Sequence, residues 1–222
     1  FTRNADMRGR NRQQVIRALK IKKPLAKDNL VFPTYNFEGI QDLPFQDCMA
    51  LIKSVVDLQK QDVDLFLIET MSNIEEARAA ITAVREVDKP VFVALTIKDD
   101  LSNKLRSGED LRLALDVLSN ENPNGIILNC SSPESITQAM PIMEVLSIPF
   151  GGFANGFTSI SPLSPGSTVD ELSARKNLSP KIYSEYVSQW IEAGATIVGG
   201  CCEIGPEHIE FLKIHLEVNG HR

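Results

Sequence analysis

Asn124-Gly-Ile-Ile-Leu-Asn-Cys130, followed directly by Ser131-Ser132-Pro133-Glu134, decides how the rest of the chain reads. The run Ile126-Ile127-Leu128 is apolar on both faces and mostly β-branched, as in a strand of a covered parallel sheet. Pro133 then opens a helix pattern that extends to about Leu146. Strand then helix is the unit. Upstream, the same unit recurs at Asp64-Leu-Phe-Leu-Ile-Glu69 and at Pro90-Val-Phe-Val-Ala-Leu-Thr96. Downstream it recurs at Ile148-Pro-Phe-Gly-Gly-Phe-Ala-Asn155 and at Ala195-Thr-Ile-Val-Gly-Gly-Cys201.

The segments between these runs read as capped helices. Ser72 precedes a helix reaching about Val87, with Glu75 placed to complete a capping box. Ser107 or Gly108 starts another, which runs through Leu118. Ser179-Pro180 opens the helix of Tyr183, Val187, Trp190 and Ile191, and Pro206 opens the last one. A further helix, Phe45–Gln59, carries Cys48 in register with Ile52, Val55 and Val56, which makes Cys48 a buried thiol.

Alternating strands and helices predict an α/β fold with a parallel sheet and crossover helices. An open doubly wound sheet gathers its site at one switch point, whereas a barrel gathers residues from most strands at its C-terminal face. Here Glu69, Thr96, Asn129, Cys130, Asn155, Cys201 and Cys202 fall at strand ends along the whole chain. The prediction is therefore a single domain over residues 1–222, a (β/α)8 TIM-type barrel. Five clear strands and a sixth at Leu30-Val31-Phe32 fall short of eight, and such barrels typically take about 250 residues. The first one or two βα units are expected to be lacking, with Phe1 as an interior start.

Composition sets the outer limits. The 222 residues carry a net charge of −6, with 43 % hydrophobic and 23 % charged residues, an ordinary globular composition. No apolar run approaches the roughly 18 residues of a membrane span. Phe1 opens a polar, Arg-rich stretch rather than a signal peptide. Residues 1–30 hold nine basic residues against two acidic ones. No aromatic residue interleaves them between Thr2 and Val31, so a solvated face outweighs a nucleic-acid surface. A soluble, cytoplasmic protein without nucleic-acid or membrane partners is expected, with a homo-oligomer left open.

Cys201-Cys202, after Gly199-Gly200, is the sharpest local signal. With Cys130 at another strand end, three sulfurs converge on one mouth. Three thiolates and an open fourth place describe a catalytic zinc site, since structural sites close with four ligands. Incidental buried cysteines are the competing reading. A strained vicinal disulfide is the weakest of the three.

Together these motifs resemble the homocysteine S-methyltransferase family, zinc thiol methyltransferases on a (β/α)8 barrel. Gly199-Gly200-Cys201-Cys202 followed by Pro206-Glu207-His208-Ile209 carries most of the likeness. Asn129-Cys130 is similar to the family's upstream Asn-Cys, Glu69-Thr70 to its Glu-Thr strand, and Ala154-Asn155-Gly156 to its Asn-x-Gly region. Trp190-Ile-Glu-Ala-Gly194-Ala195 resembles the lead into the last strand. The likeness spans roughly Asp62 to Ile214. It departs at three places: the opening Asp-Gly-Gly strand and the Gly-rich segment near the third strand are absent, and Glu203 stands where Gly is usual.

The resemblance implies a function. Cys130, Cys201 and Cys202 would bind Zn2+ and activate the thiol of L-homocysteine, which a methyl donor converts to methionine. Glu69 would hold the substrate ammonium, and Asn155 would lie near the ligand or metal. The donor could be S-methylmethionine, S-adenosylmethionine, betaine or a methylcorrinoid. The alternatives are another small thiol or selenol as acceptor, or a non-catalytic zinc-binding barrel. Other residues read as structure: His208 in a first helical turn, Asp99-Asp100 as a solvated turn (with a metal-binding pair as the rival), and Gly151-Gly152 as no phosphate loop. Tyr35 and Phe37 read as loop anchors.

Overall fold

The computed structural model describes residues 45–160 and 172–221. The predicted strand at Leu30-Val31-Phe32 and the aromatics Tyr35 and Phe37 lie outside them. The described elements alternate strictly after a first helix. They are α1 (Phe45–Gln59), β1 (Phe66–Met71), α2 (Ile74–Arg85), β2 (Val91–Leu95), α3 (Leu111–Ser119) and β3 (Gly125–Asn129). Then come α4 (Pro133–Met143), β4 (Phe150–Phe153), α5 (Pro180–Glu192), β5 (Ile197–Val198) and α6 (Pro206–Val218).

All four strand pairings are parallel, and the order is β1-β2-β3-β4-β5. Each strand lies beside its predecessor, so among the described residues the order never reverses and no switch point forms. That is the sequential winding of a (β/α)8-type barrel, here an arc of five strands. The helices cover one face. Ala77, Ala79, Ala80, Ile81, Ala83 and Val84 of α2 are all buried there, as are Tyr183 and Trp190 of α5. The opposite, inner face carries a second cluster: Ala94, Ile127, Phe153, Phe157, Ile160 and three cysteines.

Several element boundaries differ from the sequence reading, each for a local reason. Asn73, not Ser72, caps α2: its side chain accepts the Glu76 N–H at 2.8 Å. The acid that reaches back is accordingly Glu76, which accepts from Ser72 N–H at 3.2 Å, while Glu75 pairs with Arg78 on the exposed side. Helix α3 begins only after its cap Asp110. The residues before it are held by bridges Ile97↔Leu105 and Lys104↔Asp110, which a helix starting at Ser107 would break. Helix α4 is capped by Ser132 and ends at Met143, three residues short of Leu146. Ser179 caps α5 as expected, and Gly151-Gly152 lie inside β4.

Candidate metal centre

Alternation along the strands decides which side chains face inward. On β3, Ile126 and Leu128 pack with the helices, whereas Ile127 joins the inner cluster. Strict alternation would turn Cys130 outward with Ile126 and Leu128. Cys130 instead has φ 52°, and its side chain belongs to the inner cluster. A left-handed backbone costs a non-glycine residue roughly 1 kcal/mol. Such strain persists where the surroundings over-determine it.

Cys201 and Cys202 follow β5 and are tied to the end of β4. Cys201 N–H donates to the Ala154 carbonyl at 2.8 Å, and Gly156 N–H donates to the Cys202 carbonyl at 2.8 Å. Gly199 lies against the Phe153 ring, where an added Cβ would stand 3.0 Å from two ring carbons and the ring would have to give way. The result is convergence. Cys130 Sγ and Cys202 Sγ are 4.0 Å apart, Cys201 Sγ and Cys202 Sγ 3.8 Å, and all three lie within 4.8 Å of one another. The exposures are 5 %, 2 % and 2 % for Cys130, Cys201 and Cys202.

This donor set fits a zinc ion. Zn–S bonds of about 2.3 Å at tetrahedral angles place neighbouring sulfurs about 3.8 Å apart. The chemistry points the same way. Cys130 and Cys201 first, and burial second, push the Cys202 thiol well above the ordinary thiol range. Three thiols crowded into a dry mouth cannot ionise together without a cation to offset them.

Glu69 and Asn155 lie at the same end of the sheet. The sequence reading ends β1 at Glu69, but the strand continues to Met71 through a register shift between Ile68 and Met71. Thr70, at φ 65°, makes that irregularity. Asn129, fully buried, holds it: its side-chain oxygen accepts the Thr70 N–H at 3.1 Å and its Nδ2 donates to Thr70 Oγ1 at 3.1 Å. Glu69 itself is half-buried. Asn155 is buried; its N–H donates to the Ser131 carbonyl, and its Oδ1 accepts the Phe157 N–H at 3.1 Å. Its Nδ2 finds no hydrogen-bond partner among the described residues.

The remaining candidates sort cleanly. Cys48 is buried on α1, its thiol pushed up to about 11 by burial first, then by Glu76 and Glu75. His208 accepts the Gly205 N–H on Nδ1 at 3.2 Å. Its Nε2 therefore carries the proton and donates to the Leu178 carbonyl at 2.9 Å, an anchoring role. Asp99 and Asp100 form an exposed turn, as read, and Asp99 in addition accepts hydrogen bonds from Ser132 and Arg106. Sequence reasoning did not reach Arg106, because no spacing rule links it to Cys130 across the fold.

The fold and its mouth define a class: a barrel-type α/β protein with a three-cysteine cluster suited to a metal ion. The chain belongs to the homocysteine S-methyltransferase family, whose profile matches residues 24–216. It is 30 % identical over 165 residues to homocysteine S-methyltransferase 2 of Saccharomyces cerevisiae, covering 68 % of this chain and 47 % of that protein. Homocysteine S-methyltransferase 3 of Arabidopsis thaliana matches at 28 % over 162 residues, 70 % of this chain and 44 % of the relative. Selenocysteine methyltransferase of Astragalus bisulcatus matches at 26 % over 165 residues, 71 % and 46 % of the two chains. The chain thus spans about half the length of these relatives. The oxidized form of the homocysteine methyltransferase MmuM from Escherichia coli superposes with a TM-score of 0.62 at 22 % identity. That superposition covers 81 % of this chain and 55 % of MmuM, and it speaks for the fold.

Proposed function

We propose that this protein is a zinc-dependent methyltransferase that moves a methyl group onto the thiol of L-homocysteine, giving methionine. The carrying observation is the convergence of the Cys130, Cys201 and Cys202 sulfurs within 4.8 Å, in a chain whose family is named for that transfer. Among the solved relatives, MmuM is known in a metallated form.

Cys130, Cys201 and Cys202 would hold the ion, and a set of three protein ligands would leave it able to take the substrate sulfur. A zinc ion there supplies the charge that frees the substrate thiol of its proton at neutral pH and leaves the sulfur nucleophilic. Glu69 takes the substrate ammonium, kept in place by the Asn129 clamp on Thr70. Asn155 Nδ2 offers a donor to a substrate oxygen. Phe153, Phe157 and Ile160 keep water from the mouth. Aligning the donor methyl carbon with the sulfur supplies much of the rate.

The Astragalus relative favours a second acceptor class, a selenol, which the same three-cysteine mouth would accommodate. One experiment addresses both. Purified protein is analysed for metal, then given homocysteine or selenocysteine with S-methylmethionine, S-adenosylmethionine, betaine or a methylcorrinoid. About one zinc per chain and chelator-sensitive methionine formation are expected. Faster methylation of selenocysteine would transfer the assignment to the selenol. Absence of zinc and of transfer from every donor would refute the proposal.

A further inference from the structure

Asp99 and Arg106 lie on the segment between β2 and α3, on neither of the strands that lead into the three cysteines. Asp100 accepts a local bond from Ser102 N–H at 3.0 Å, as a turn residue does. Asp99 behaves differently. Its Oδ1 accepts the Ser132 N–H at 2.7 Å, and its Oδ2 accepts Arg106 Nη2 at 3.0 Å. The Arg106 side chain is only 10 % exposed. It also donates from Nη2 to the Cys130 carbonyl at 3.4 Å and from Nε to Thr96 Oγ1 at 3.3 Å. Next to it, Ser131 Oγ accepts the Ile97 N–H at 2.9 Å and donates to the Ile97 carbonyl at 3.1 Å.

The turn Cys130 to Ser132 is therefore gripped by one loop at each of its three residues. That turn needs a grip. Cys130 sits at φ 52°, the conformation that brings its sulfur inward, and an L-residue keeps such a conformation only when its surroundings impose it. The charge is apt as well. A zinc centre of three thiolates would be net negative, and a part-buried guanidinium bonded to a ligand's own carbonyl would offset that charge.

We propose that Asp99 and Arg106 form a positioning pair for the metal centre, holding the Cys130 turn in its left-handed form from a loop that supplies no ligand. Metal affinity then depends on residues that never touch the metal. This inference rests on the zinc reading above.

The test compares zinc affinity, by competition with a chromophoric chelator, and the thiolate-to-metal absorption of the cobalt-substituted full chain. Arg106→Met should weaken zinc binding by about 10- to 100-fold and shift the cobalt band. Arg106→Lys should recover part of the loss, because it restores the charge without the forked donor. Asp99→Asn keeps an acceptor for Ser132 and should lose less. Arg78→Met, on the outer helix layer where Arg78 pairs with Glu75 and Glu121, should change neither readout. Parent-like affinity and spectrum in Arg106→Met would overturn the proposal. Should that variant fail to fold, parent-like values in both Arg106→Lys and Asp99→Asn would overturn it instead. A parent protein that binds no zinc would refute the functional reading itself, a result distinct from equal binding by parent and variant.

Discussion

Cys48 and Cys202 are buried to a similar depth, 7 % and 2 % exposed, and burial contributes to a raised thiol in both. Their surroundings differ. Cys48 lies on α1 in the large core with Ile52 and Val56, and its charged neighbours are the carboxylates Glu76 and Glu75. Cys202 lies 4.0 Å and 3.8 Å from two other sulfurs, on backbone that follows a different strand from Cys130. Burial alone does not separate a packing thiol from a ligand. Convergence of three sulfurs from separate strand ends makes Cys202 the candidate ligand, since packing alone does not call for three thiols at one mouth.

The sharpest way to break this contrast is to replace one cysteine on each side. Cys202→Ser should lower zinc affinity by more than about 100-fold and abolish methyl transfer while the cooperative melt persists, because apolar layers pack such a fold and the mouth only decorates it. Cys48→Ser should keep the zinc and lose about 1 to 3 kcal/mol of stability, the cost of placing a hydroxyl in an apolar site. Metal content after dialysis and urea melts of both variants read this out. Zinc loss from Cys48→Ser, or collapse of Cys202→Ser, would merge the two classes.

The Cys48 side should also carry a pH dependence. Glu76 is buried on α2, and burial, opposed by the Ser72 N–H and hydroxyl, raises its carboxyl from 4.5 to about 7. Between those values the folded chain holds a proton that the unfolded chain has lost. Stability therefore falls as pH rises from 4.5 to about 7, then levels off, a swing of up to about 3 kcal/mol. Glu76→Gln cannot ionise. Its urea midpoint should match the parent near pH 4.5 and exceed it at pH 8. Identical pH profiles for the two proteins would sink the assignment.

How far the sequence spoke follows the same division. The strands are legible because a covered parallel strand is apolar on both faces, and Ile126-Ile127-Leu128 admits little else. The helix starts at Ser179-Pro180 and Pro206 are legible because caps are local. The three cysteines announce themselves by chemistry. What stays hidden is backbone handedness. Nothing in a row of letters shows that Thr70 and Cys130 adopt φ 65° and 52°, because those angles are imposed by Asn129, Asp99 and Arg106 from elsewhere in the fold. For the same reason β1 runs past Glu69, and the bonds that exposed Asp99 makes to Ser132 and Arg106 stay hidden.

Glu69 tests whether the mouth also recognises the substrate's ammonium, beside the proposed metal binding. Glu69→Gln preserves size and removes charge, so homocysteine binding should weaken by about 1.5 to 3 kcal/mol, the scale of a charge-assisted hydrogen bond. Zinc content should stay at the parent level. The decisive comparison uses a thiol lacking the amino group, whose affinity should not change. Equal losses for both ligands would assign Glu69 to the scaffold.

The smallest effect belongs to Glu203, which follows Cys202 at φ 61° and completes a trio of left-handed residues with Thr70 and Cys130 near the mouth. Its neighbour Gly156 is so close that an added Cβ there would come within 3.1 Å of the Glu203 Cβ and carbonyl oxygen. Glycine suits the φ of position 203 without strain, and relieving that strain returns roughly 1 kcal/mol. Part of the gain is offset because glycine makes the unfolded chain more flexible, by about 0.4 to 1 kcal/mol. Glu203→Gly should therefore raise stability by no more than about 0.6 kcal/mol, or a melting temperature gain of at most about 2 °C in a chain of this size. Glu203→Ala separates the causes, since it removes the carboxylate but keeps the Cβ and the strained φ. Its melting temperature should stay at or below the parent's. An equal rise in both variants would place the cost in the carboxylate, and the mouth would then store its strain at Thr70 and Cys130 but not at Glu203.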